Sequence, residues 1–254
     1  MRQRQADRLA FPVRIPLGDI STERLCLLAD LTERVGAEVR ITTAQGILLV
    51  DIPESEGERM AGSLRDRGFL PPREVSIVRC AGTDTCTVGI TRVRGLAASL
   101  EEKISSLETE MRRRRPVTIK ISGCPNGCGH HLLGDIGLRG VARNVDGRLA
   151  PHYMLLLGGA AREDGTALFG TPIGRIAARR VPEAVERLMA LLDEEGGEGE
   201  RAGDTFARLG KDRCAAPLKD LLEEAPARYV DEDFFDLGVS SPEVFPAVSA
   251  GKAP

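Results

Sequence analysis

Four of the six cysteines fall into two pairs, Cys80 with Cys86 and Cys124 with Cys128, and each pair follows a stretch that reads as a β-strand. The first pair leaves five residues between its thiols and the second leaves three. A polynuclear iron-sulfur cluster needs four soft thiolates converging on one small site, carried by loops whose glycines let backbone N–H groups turn toward sulfur. Both Cys80-Ala81-Gly82-Thr83-Asp84-Thr85-Cys86 and Gly123-Cys124-Pro125-Asn126-Gly127-Cys128-Gly129 have that character. Structural zinc prefers two to four residues between paired ligands, so it suits the second pair and not the first. Two disulfides are the third alternative, which a reducing compartment opposes. Cys26 and Cys214 stand apart, and Cys26 falls on an apolar helix stripe, so both read as packing residues.

Composition narrows the remaining classes. The 254 residues can bury a substantial core in one or two domains. A net charge of −3, from 35 basic and 38 acidic residues, gives no overall field toward nucleic acid or a membrane surface. The absence of tryptophan, with only 7 Phe and 2 Tyr, removes the stacking platforms of single-stranded nucleic-acid binders. No apolar run has the length of a spanning helix and MRQRQADRLAF lacks a signal core, so a cytoplasmic protein is expected.

Along the chain, FPVRIP predicts an extended segment, and Asp19 to Thr22 offers helix-start chemistry before Leu25, Leu28, Leu31 and Val35, with Gly36 as the stop. Two β-rich stretches then flank Thr43-Ala44-Gln45-Gly46, and a helix is expected from Glu54 to Arg67. This order describes a small α+β domain over residues 9–70, with Pro71-Pro72 at its boundary. A second, mixed α/β domain is expected over 71–195. Its signals are strands at EVSIVRC and VTIKIS, an amphipathic helix carrying Leu96, Leu100, Ile104, Leu107 and Met111, an Asp146-Gly147 hairpin, and a helix from Val181 to Glu195. Arg112 to Arg115 read as a solvated helix C-terminus. EEGGEGERAGD reads as a linker, and residues 196–254 as linker plus an extended tail poor in apolar residues.

The phrases RCAGTDTC and ISGCPNGCGHHLLGDIGLRG resemble the sirohaem and iron-sulfur domain of the nitrite and sulfite reductase family, matching its C-x5-C and C-x3-C loops. Upstream, PVRIPLGDISTERLCLLADLTERVGAEVRITTAQGILL is similar to the small ferredoxin-like domain that precedes it, so the likeness covers about residues 9–195. The resemblance implies a 4Fe-4S cluster on Cys80, Cys86, Cys124 and Cys128, with Cys128 bridging to a sirohaem iron. It further implies six-electron reduction of sulfite to sulfide or nitrite to ammonia, and a ferredoxin or flavoprotein as electron donor. Arg40, Thr42 and Gln45 match the family's Arg-x-Thr-x-x-Gln phrase and carry over as cofactor or anion contacts. Lys120 adds a second cation for the anion, and Asn126 lies inside the cluster loop as a cofactor contact. For His130 and His131 a structural or supporting role is expected.

Enzymes of this type are built as two related halves, and this chain carries one. The expectation is therefore half of an active unit: a fragment of a two-half chain, or a half that pairs with a partner subunit or a second copy, with the compact single-half forms as the other alternative. Two other readings share the domain pair: an iron-sulfur monooxygenase of corrin-ring synthesis resembling precorrin-3B synthase, and a non-catalytic electron-relay subunit.

Overall fold

In the computed structural model, residues 1–110, 115–162, 164–222 and 229–239 are described. The chain forms two compact units, Met1–Arg73 and Glu74–Pro254. No helix among the described residues is long and apolar enough to cross a membrane.

The first unit follows the order β1 (Arg8–Val13), α1 (Thr22–Val35), β2 (Glu38–Ile41), β3 (Ile47–Pro53), α2 (Gly57–Asp66). Its antiparallel sheet runs β1-β3-β2, which places β3 at the centre and β2 on an edge. The Ser21 hydroxyl accepts from the Arg24 N–H at 3.4 Å at the start of α1, and Gly36, at φ 65°, ends it in the left-handed region. The core is Val13, Leu28, Leu31, Leu49, Ile52, Met60, Leu64 and Phe69 with their neighbours. The buried stripe of α1 is narrower than the spacing predicts, because Leu25 is exposed. Cys26 is exposed as well, so the expectation that it packs in the core is corrected.

The second unit is a five-stranded mixed sheet in the order β10-β7-β6-β5-β4. Strand β4 (Val75–Arg79) leads through α3 (Val93–Glu110) into β5 (Val117–Ser122), its parallel neighbour. Strand β6 (Ile136–Val145) is also parallel to β5, whereas β7 (Arg148–Leu157) returns antiparallel to β6. Asp146 (φ 51°) and Gly147 (φ 86°) make that return as a two-residue turn, with both residues in the region a tight hairpin demands. A small β8 (Ala160–Ala161) and β9 (Ala167–Leu168) ribbon precedes the edge strand β10 (Thr171–Ala177) and α4 (Val181–Glu195). Ile119, Ile121, Ile136, Leu138 and Leu155 are essentially inaccessible, as are Leu96, Leu100 and Ile104 along one side of α3. Each such side chain contributes roughly 1.5–3 kcal/mol.

Two expectations about the C-terminal part are overturned. Residues 202–222 are not extended: α5 (Ala202–Ala215) and α6 (Lys219–Leu222) pack on the sheet through Ala202, Phe206, Cys214, Leu218 and Leu221. Arg115 is not a solvated helix end. It is buried and donates to the carbonyls of Glu200 (3.2 Å) and Gly197 (3.5 Å). Met111, Arg112 to Arg114, and the tail residues 223–228 and 240–254 lie outside the described residues.

Buried His152 on β7 sets a pH dependence. Its Nδ1–H donates to the Ala150 carbonyl at 3.0 Å and its Nε2 accepts from the Tyr229 hydroxyl at 2.7 Å. Burial holds this imidazole below its usual pKa, although the Ala150 bond opposes the shift, and Arg143 and Arg175 add to it. A folded pKa below the unfolded one means that the unfolded chain binds the extra proton. Stability is therefore present above about pH 6.5 and is lost as pH falls below it. Urea unfolding from about pH 7.5 to about 5.5 should show that loss, and His152→Gln should flatten it. Leu138→Ala should lower stability by about 2–5 kcal/mol without changing the urea slope, as expected for a cavity in a fixed frame.

A thiol-rich site at the ends of two parallel strands

Parallel pairing places both cysteine loops at one end of the sheet. Arg79 of β4 is in register with Ile121 of β5, and the next residue, Cys80, donates its N–H to the Ile121 carbonyl at 3.0 Å. The chain leaves both strands in the same direction, so Cys80 emerges beside Gly123 and Cys124. The Gly123 N–H donates to the Cys80 sulfur at 3.1 Å. Ile90 and Thr91 then return from the first loop and donate to the Gly123 carbonyl at 2.8 and 3.1 Å. Cys86 is fixed by its N–H to the Gly82 carbonyl at 2.9 Å. Gly82, at φ 65°, has no room for a side chain, because a Cβ would stand 2.7 Å from the Val93 nitrogen.

The second loop rests on Ser122, the last residue of β5. Its hydroxyl accepts from the Gly129 N–H at 3.1 Å and lies 2.9 Å from His131 Nδ1, tying the chain just after Cys128 to the strand. His131 is buried, and its pKa is lowered by burial and then by Arg139. His130 takes φ 56° and leads into a 3-10 turn over His131–Leu133.

All six cysteines are free thiols. Cys124 is buried, Cys80 and Cys86 are half-buried, and Cys128 is exposed. Burial pushes the Cys124 thiol up, the Asn126 backbone N–H pulls it down, and the neighbouring Cys80, Cys86 and Cys128 push it up again. Cys124 thus lies close enough to the other three sulfurs to feel their charge. Yet among the described residues no three His, Cys, Asp or Glu side chains stand close enough to hold one metal ion. Four thiols carried on two neighbouring loops are the donor set that a 4Fe-4S cluster takes, each thiolate attaching to a different iron.

The remaining predicted residues are dispersed. Lys120 lies on β5, in register with Val78 and Gly137, half-buried; burial lowers its pKa, and the Asp135 carboxylate opposes that shift. The Asn126 side chain is exposed, and its contribution to the loop is the backbone N–H toward Cys124. Arg40 lies on β2 of the first unit, ion-paired with Glu38 at 3.0 Å on an exposed edge. Thr42 shapes the following turn: its hydroxyl accepts from the Gly46 N–H at 3.1 Å, and Gln45 takes φ 58°. Sequence reading missed Arg139 of β6. It is in register with Ser122, is half-buried, and its Nε has no hydrogen-bond partner among the described residues. Alternation along GLRG could have found it, since Arg139 falls on the same sheet face as Ser122 and Lys120.

Residues 72–224 match the family described as the nitrite and sulphite reductase 4Fe-4S domain, and residues 1–66 match the nitrite/sulfite reductase ferredoxin-like half domain. This chain belongs to that nitrite and sulphite reductase family. The family is that of a 4Fe-4S domain, and its nitrite and sulfite reductases use sirohaem as well. A ferredoxin–nitrite reductase of Synechococcus elongatus is 30% identical over 191 residues, covering 74% of this chain and 36% of that protein. A sulfite reductase (ferredoxin) 2 of Mycolicibacterium paratuberculosis is 27% identical over 206 residues, covering 77% and 36%. The chain spans about a third of the length of the curated relatives it matches. Among solved structures, the NirA protein of Mycobacterium tuberculosis aligns with a TM-score of 0.65 at 24% identity, over 81% of this chain and 39% of that one. Dissimilatory sulfite reductase I aligns with 0.66 at 14% identity, over 94% and 73%. At these identities the structural likeness concerns the fold.

The Ser122 seat gives a direct test. A Cβ on Gly129 would stand 1.9 Å from the Ile121 carbonyl oxygen, in the backbone of the strand itself. Gly129→Ala should leave the folded sheet intact by circular dichroism yet lower iron incorporation at least about tenfold, about 1.4 kcal/mol of site energy. Normal iron content in that variant would remove the Gly129–Ser122 contact from the site.

Proposed function

We propose that this chain is the cluster-bearing half of an oxidoreductase that reduces sulfite to sulfide or nitrite to ammonia in six one-electron steps. The reading is carried by one observation, the delivery of four free thiols to one end of a parallel strand pair. When bound, the cluster and sirohaem supply the electron conduit and the iron that holds the anion.

In this reading Cys80, Cys86, Cys124 and Cys128 ligate the cluster, and the loops hold their sulfurs ready. The Gly123 and Asn126 N–H groups stabilise thiolate charge at Cys80 and Cys124. Cys128 is the exposed thiol, which suits it to reach outward as the bridge to a sirohaem iron. Lys120, whose pKa burial lowers, is suited to hold the anion and release a proton during reduction. Arg40, Thr42, Gln45 and Asn126 carry over as cofactor or anion contacts, with Arg40 exchanging Glu38 for an external acid group.

The length of the relatives supports a divided pocket: the remaining anion-binding groups come from a second half, a partner subunit or a second copy. A ferredoxin or flavoprotein supplies the electrons, and the reduced thiols suit the cytoplasm.

The protein produced with its cofactors should contain about four irons and four acid-labile sulfides per chain together with sirohaem absorption bands. Cluster without tetrapyrrole would instead support the corrin-ring monooxygenase or electron-relay readings. Serine at Cys80, Cys86 or Cys124 should abolish cluster binding, whereas Cys128→Ser should specifically remove electronic coupling between cluster and sirohaem. With a viologen donor the chain alone should turn over at least about tenfold more slowly than two-half enzymes. Equal rates would show that no second half is needed.

A further inference from the structure

The C-terminal segment Tyr229–Val239 is built into the second unit at every step. Tyr229 bonds His152, Asp233 accepts from Arg180 at 3.2 Å, and Phe234 packs against Val145 and Ala150. Its last described stretch then runs across the start of α3. The Asp236 carboxylate accepts from the Arg92 N–H at 2.9 Å, closing a helix N-terminus that offers unpaired donors. The Leu237 carbonyl lies directly on Gly95, where a Cβ would stand 1.7 Å from its oxygen, so only glycine admits the segment. Arg92 reaches in two directions, with Nη1 donating to the Gly238 carbonyl at 3.3 Å and Nε to Asp84 at 2.6 Å.

Asp84 belongs to the loop between Cys80 and Cys86, and Ile90 and Thr91, next to Arg92, hold the Gly123 carbonyl beside Cys124. Residues 90–92 are therefore a junction between both thiol-bearing loops and the C-terminal segment. We propose that Tyr229–Val239 is a strap that sets the position of the two cysteine loops, with Asp236 and Arg92 as its positioning residues. The strap acts on the loops through its contacts with Arg92 and Gly95, and Arg92 passes them on through its ion pair with Asp84. Its connection to the cluster rests on the reductase reading above, but its connection to the loops does not.

Amide hydrogen exchange on the full chain, with and without cluster, separates the two. In the cluster-free chain, Asp236→Ala should speed exchange of the amides from Cys80 to Arg92 by about tenfold or more while leaving β6 and β7 protected. Gly95→Ala, which displaces the Leu237 carbonyl, should give the same pattern. Arg92→Gln keeps the backbone donor to Asp236 and loses both side-chain links, so it should free Gly82 to Cys86 while the strap stays protected. The loaded Asp236→Ala protein should also show a shifted cluster reduction potential and altered electron paramagnetic resonance lines, which a purely distant stabilising role would not move. Faster exchange in the strap with unchanged exchange from Cys80 to Arg92 would overturn the proposal. Where Asp236→Ala and Gly95→Ala do not fold, Arg92→Gln decides, and unchanged loop exchange there overturns it equally. A wild-type chain that takes up no iron and sulfide would sink the reductase reading alone, because the cluster-free exchange result stands independently of it.

Discussion

The hydrogen bond from the Cys80 N–H to the Ile121 carbonyl continues the β4–β5 ladder one residue past the end of β4. Because the pairing is parallel, the two chains leave the ladder on the same side, and the loop after β4 meets the loop after β5. An antiparallel pair would put the same two loops at opposite ends, about 20 Å apart for strands of this length. Parallel strands also require a crossover, and α3 supplies it, with Leu96, Leu100 and Ile104 as its buried stripe. The helix core is thus a condition for the thiol site as well as for stability.

The second loop solves a different problem. It must join parallel β5 to parallel β6 through only the residues from Gly123 to Asp135, without a helix of ordinary length. The solution is to lay the loop back on the strand it came from. Gly129 sits on the Ile121 carbonyl, Gly137 admits the His131 carbonyl 2.0 Å from where its Cβ would be, and Ser122 ties Gly129 and His131 together. Bulk is excluded at those positions by backbone rather than by flexible side chains, so the loop has one place to lie. A loop fixed in that way can present an exposed Cys128 next to a buried Cys124 without giving either thiol freedom to wander.

Much of this was legible in the sequence because the signals were local. Helix α4 spans the residues its spacing indicates, the Asp146-Gly147 turn takes the positive φ angles its composition asks for, and Ser21 and Gly36 bound α1. What escaped was non-local. Arg115 looked like one of four solvated arginines, but its partners, the carbonyls of Gly197 and Glu200, arrive some eighty residues later in the chain. Helix α5 escaped because it buries Ala202, Gly203, Thr205 and Cys214 around a single Phe206, a stripe of small residues that hydrophobic periodicity barely registers. Cys26 failed in the opposite sense: an apolar neighbourhood in sequence became an exposed helix flank, because the buried side of α1 is the one that carries Leu28, Leu31 and Thr32. Arg40, Thr42 and Gln45 were found through a motif, not through a physical pattern, and the edge strand that carries Arg40 shows why. Every residue of β2 is exposed, so nothing in its periodicity could single one out.

The strap obeys the same logic of distance. Asp231, Glu232, Asp233 and Asp236 give residues 229–239 the composition of a solvated tail, yet Asp233 and Asp236 are almost wholly buried. Burying carboxylates is costly unless donors meet them; here Arg180 and the Val230 N–H meet Asp233, and the Arg92 backbone N–H at the start of α3 meets one oxygen of Asp236. An apolar segment could cover the same surface, but it could not satisfy the open end of α3. The acidic composition that made the segment look dispensable is what lets it close the helix on which the first cysteine loop depends.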